Sequence, residues 1–67
     1  MFPQRLKQLR KEMGLSQKSL SEHLGVTQQA VGKWETGRSS PDPATLARLA
    51  ELLETSADYL LGISEQD

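Results

Sequence analysis

Ser16-Gln17-Lys18-Ser19-Leu20-Ser21-Glu22-His23-Leu24-Gly25-Val26-Thr27-Gln28-Gln29-Ala30-Val31-Gly32-Lys33-Trp34-Glu35 is the stretch that decides how the rest of the chain is read. Ser16 is a good helix N-cap, because its hydroxyl oxygen can accept from an unpaired N–H of the first turn. Leu20 and Leu24 follow one turn apart. Gly25 supplies the stop, since glycine enters the left-handed conformation of a helix end at little steric cost. Thr27 then caps a second helix that runs through Val31 and Trp34. Two short helices joined by a glycine-containing turn of about three or four residues are the sequence form of a helix-turn-helix. So short a turn makes the helices cross steeply, with Leu20, Leu24, Val31 and Trp34 able to meet between them. At about 100° per residue, Gln28, Gln29, Gly32, Lys33 and Thr36 share one side of the later helix, and Ala30, Val31 and Trp34 the other.

The flanks carry the same helical punctuation. Upstream, Pro3 suits a first helical turn, Leu6, Leu9 and Met13 form an apolar stripe, and Gly14 ends it. Downstream, Gly37 stops the third helix, and Gly37-Arg38-Ser39-Ser40-Pro41-Asp42-Pro43 reads as a loop. Asp42 looks like an N-cap with Pro43 at the first helical position, ahead of a stripe of Leu46, Leu49, Ala50 and Leu53. Ser56 caps a short last helix with Tyr59, Leu60 and Leu61, ended by Gly62. The expected architecture is all-α: five short helices in one domain over 1–63, the helix-turn-helix at about 16–36, and a polar tail or linker start over 64–67. Leu60, Leu61 and Ile63 are expected to close the core against Leu46, Leu49 and Leu53, the other use for them being a two-fold dimer seam.

Composition narrows the function. The chain has 67 residues, no cysteine and one histidine. Disulfides and thiolate metal sites are excluded, and a hydrolytic triad or multi-histidine metal site has too few residues to draw on. No nucleophile–base constellation or phosphate loop appears, so a binding domain without a cofactor is expected rather than an enzyme. No apolar run approaches the roughly 18–20 residues of a membrane span, and the start, Met-Phe-Pro-Gln-Arg-Leu, lacks a secretory stretch. A cytoplasmic setting with no membrane partner follows as the expectation. The net charge of −1 conceals an asymmetry: residues 1–40 hold seven bases against three acids, and residues 41–67 one base against six acids. Such a division either presents one surface to a polyanion or marks two solvated faces of opposite sign.

The polar side of the third helix has the chemistry of a major-groove reader. A glutamine amide accepts from adenine N6 and donates to adenine N7, a bidentate match, and Gln28 and Gln29 stand at the helix start, which reaches base edges in this motif. Lys33, one turn on, can reach guanine O6 and N7 or a phosphate. Gly32 costs roughly 1 kcal/mol against alanine in a helix interior. It is either a tolerated defect or a place where the helix approaches DNA closely. Trp34, beside Val31, belongs to the core rather than to a base stack. His23, Lys7 and Lys11 read as solvated.

The stretch resembles the helix-turn-helix domains of phage repressors and Cro proteins and their bacterial relatives. The resemblance rests on Leu15-Ser16-Gln17, Leu20…Leu24-Gly25-Val26-Thr27-Gln28, Val31…Trp34-Glu35…Gly37, Pro41…Leu46…Leu49-Ala50 and Asp58-Tyr59-Leu60-Leu61-Gly62, and covers nearly the whole chain. It implies a lambda-repressor-like fold, base reading by Gln28, Gln29 and Lys33, and a close approach at Gly32. It further implies a phosphate contact by Gln17, which also supports Gln28, and a structural ion pair between Arg10 and Glu35. Lys18 and Thr27 at helix starts, and Arg38 and Ser40 in the loop, are the remaining phosphate candidates. Some relatives carry more bases in that loop, where this chain has Pro41, Asp42 and Pro43; each lost phosphate contact flattens the log–log salt dependence of binding by about 0.9. The implied partner is a near-palindromic double-stranded DNA operator bound by a homodimer of a transcriptional regulator, most simply a repressor, with room for a further C-terminal effector or oligomerisation domain. The competing readings are the antitoxin of a toxin–antitoxin pair and a helical protein-interaction module without DNA binding.

Overall fold

The computed structural model describes residues 1–66 and consists of five helices: α1 (Phe2–Glu12), α2 (Gln17–Leu24), α3 (Gln28–Glu35), α4 (Pro43–Leu52) and α5 (Ala57–Leu61). The last residue of the polar tail, Asp67, lies outside the described residues. The caps act as their residue types dictate. The side chains of Ser16, Thr27, Asp42 and Ser56 accept from the backbone N–H three residues on, at 3.0, 3.1, 2.8 and 3.0 Å. The Asp42 carboxyl is held below the usual aspartate range by the bonds it accepts from Thr45.

Each helix ends in a left-handed turn that lets a later N–H reach back to a carbonyl of its last turn. At α2 this residue is Gly25 (φ +72°), which brings the Val26 N–H to Ser21 O at 3.0 Å. After α4 the same conformation falls on Glu54 (φ +56°), and the Thr55 N–H reaches Ala50 O at 2.9 Å.

Leu6, Leu9, Leu20, Leu24, Val31, Trp34, Leu49, Ala50, Leu53 and Leu60 form one core, with Leu46 and Tyr59 packed at its edge. Leu20, Leu24, Val31 and Trp34 do meet where α2 and α3 cross, and α1 lies against α3 on one side and α5 on the other. Two expectations fail. Met13 sits past the end of α1 and is exposed, because the chain is already turning towards Gly14 and half-buried Leu15 takes up the packing. Leu60 is fully buried, but Leu61 and Ile63 are 48% and 73% exposed. So short a helix directs Leu60 into the core with Tyr59 at its edge, and Leu61 and the residue after Gly62 point away. Among the described residues no helix is long and apolar enough to cross a membrane.

Candidate nucleic-acid interface

Val31 and Trp34 anchor α3 from below, and that burial leaves the opposite face outward. Gln28, Gln29, Lys33 and Thr36 are exposed there. Two adjacent concavities follow the helix: one lined by Gln17, Gln28, Gln29 and Gly32, the other by Gln29, Gly32, Lys33, Thr36 and Arg38. No carboxylate lines either one. The Thr36 hydroxyl donates to Gly32 O and Lys33 O at 3.1 and 3.2 Å, which turns its polar atom back into the helix. The Thr27 hydroxyl oxygen is taken by the Ala30 N–H, so its own O–H is what remains to offer outward. Arg38 follows α3 after Thr36 and Gly37, its N–H bonded to Lys33 O at 2.9 Å, and borders the second concavity. Lys18 and Ser40 are exposed but line neither concavity. Gly32 has room: an added Cβ would meet only Gln17 Oε1, at 3.9 Å. Packing inside the protein does not require glycine there.

The carboxylate that α3 itself carries, Glu35, is withdrawn from this face. Glu35 Oε2 accepts from Arg10 Nε at 2.6 Å and Oε1 from Arg10 Nη2 at 3.1 Å, a bidentate pair whose side chains are 3% and 8% exposed. The third guanidinium nitrogen of Arg10 donates to Leu15 O at 2.7 Å, in the turn ahead of α2. Gln17 Nε2 donates to Glu35 Oε1 at 3.0 Å. Burial alone would raise the Glu35 pKa; hydrogen bonds from Arg10 and Gln17, and the charges of Arg10 and Lys7, outweigh it and hold the carboxyl below its ordinary range.

Two supporting arginines escaped sequence reading. Arg48, the one base of the acidic half, donates to Leu24 O at 3.1 Å and so holds the end of α2, where a cation is favoured by the helix dipole. Arg5 donates to Tyr59 O and Ser64 O at 2.6 and 2.9 Å and lies 4.1 Å from the Tyr59 ring centre. Their partners are backbone carbonyls distant in sequence, and no residue pattern announces those.

The helix-turn-helix family model matches residues 6–60. An uncharacterized HTH-type transcriptional regulator derived from the SPbeta prophage, YonR of Bacillus subtilis, is 44% identical over 61 residues, which is 91% of this chain and 56% of YonR. The chain spans about half the length of the curated relatives it matches, YonR among them. Among solved structures, the P22 c2 repressor in complex with a synthetic operator superposes with a TM-score of 0.86 at 30% identity, over 90% of this chain and 91% of that one. The biofilm regulator SinR in complex with DNA gives 0.83 at 34%, over 91% and 98%. The fold is that of the lambda-repressor-like DNA-binding domains, and the chain belongs to the helix-turn-helix family.

Proposed function

We propose that this chain binds double-stranded DNA sequence-specifically, as the DNA-binding part of a transcriptional regulator that acts as a repressor. The observation that carries the reading is the exposed, acid-free face of α3, with Gln28, Gln29 and Lys33 in line and Arg38 at its edge. Gln28 and Gln29 read A·T pairs by bidentate amide contacts, and Lys33 reaches a guanine or a phosphate. Gln17, Lys18, Thr27, Arg38 and Ser40 hold the backbone, and the glycine at position 32 lets α3 sit close to the groove floor. The buried Arg10–Glu35 pair keeps a negative charge off that surface. The repressor complex with an operator and the SinR complex with DNA support this reading. A homodimer would read two half-sites about 34 Å apart, and Leu61 and Ile63 are among the exposed apolar side chains that could join two copies.

Selection from a random duplex library, with the Gln28→Ala/Gln29→Ala double variant in parallel, tests the proposal. A two-fold motif is expected that the variant fails to enrich while keeping its fold. Absence of any enriched motif with the wild-type chain would overturn it.

A further inference from the structure

The buried carboxylate of Glu35 touches the reading surface through one side chain, Gln17. An ionised carboxylate only accepts hydrogen bonds, so whatever faces Glu35 Oε1 must donate. Arg10 Nη2 is one such donor and Gln17 Nε2 the other. This fixes which way round the Gln17 amide sits. Its nitrogen faces inward, and its oxygen faces Gly32 in the concavity shared with Gln28 and Gln29. A glutamine free in water would present either end.

We infer that Glu35 is a positioning residue for DNA recognition: through its bond to Gln17 it presents an amide oxygen, and one remaining N–H, to the concavity at the start of α3. The oxygen can accept from the Gln28 amide or from a base amine, while the spare N–H is left for a phosphate. Arg10 sets the same region a second way, through its bond to Leu15 O ahead of α2. The buried pair therefore orients the DNA surface as well as holding α1 to α3. This inference rests on the DNA-binding proposal above.

A double-variant cycle separates the two. The Kd for the selected duplex is measured for wild type, Glu35→Gln, Gln17→Ala and the double variant, with urea unfolding of each. Glutamine at position 35 can donate or accept, so it no longer imposes one orientation on Gln17. Glu35→Gln is expected to weaken binding about tenfold when Gln17 is present, the scale of one hydrogen bond, and by less than about twofold in the Gln17→Ala background. Equal weakening in both backgrounds is what a merely structural Glu35 would give, and it overturns the inference while the DNA-binding reading stands. A wild-type chain with no preferred duplex overturns that reading itself. Should Glu35→Gln not fold, side-chain amide exchange in the wild-type chain decides: the inference requires one slow and one fast Gln17 N–H, and two fast ones contradict it.

Discussion

Arg5 and Arg10 lie on opposite flanks of α1 and hold two different parts of the molecule. Arg10 is turned towards α2 and α3, and its partner is a carboxylate as buried as itself. Arg5 is turned towards α5 and the residues after it, and its main partners are carbonyls; the carboxylate it meets among the described residues, Glu65, is 80% exposed. The first arrangement is demanding, because either charge left alone in the core is costly. The second is forgiving, since water can replace what is lost. The demanding arrangement stands under the exposed face of α3 and the forgiving one where α5 leads into the tail.

The largest expected effect lies on the Arg10 side. Arg10→Ala leaves the Glu35 carboxylate buried without its partner and should cost about 3–5 kcal/mol in urea unfolding. For a 67-residue domain that is much of the total stability, and the variant is expected to unfold at ordinary temperatures. A loss below about 1 kcal/mol would mean that the pair is no more demanding than a surface contact.

Acid should expose the same difference. The Glu35 pKa is lowered by folding, so its contribution is complete above the ordinary value of 4.5 and is lost as pH falls through the lower folded value. Melting temperature should hold from neutral pH to about 4.5 and then decline. Glu35→Gln should decline less steeply over that acid range, although Asp42, lowered by its cap bonds, adds a slope of the same sign in both proteins. Identical slopes would remove Glu35 as the cause.

The Arg5 side should yield smaller changes. Arg5→Ala removes two charge-assisted bonds to carbonyls and the contact with the Tyr59 ring, for about 1–3 kcal/mol. Glu65→Ala should change stability by less than about 1 kcal/mol, since its pair is solvated. If Glu65→Ala matched Arg5→Ala, the ion pair rather than the carbonyl bonds would hold the tail.

The two sides also differ in how far the sequence revealed them. The helix starts were legible at Ser16, Thr27, Asp42 and Ser56, because a cap is a local bond between a side chain and a backbone three residues away. The outward face of α3 was legible for the same reason: helical spacing assigns Val31 and Trp34 to one side and Gln28, Gln29 and Lys33 to the other. Met13, Leu61 and Ile63 were misread because apolar spacing cannot show which residue the chain end carries past the core. Glu54 in a left-handed turn gave no sign, because it stands where glycine is the usual signal. The Arg10–Glu35 pair came through the family resemblance, whereas the Gln17–Glu35 bond joins residues 18 apart and needs the assembled fold to be seen.

Backbone amide NMR during titration with the selected duplex tests the central claim, that the α3 face and its flanks meet DNA. The largest shifts are expected over residues 16–18, 27–33 and 38–40, with α5 little changed beyond any contact between two copies. Shifts concentrated on α4 and α5, with Gln28, Gln29 and Lys33 unmoved, would contradict it.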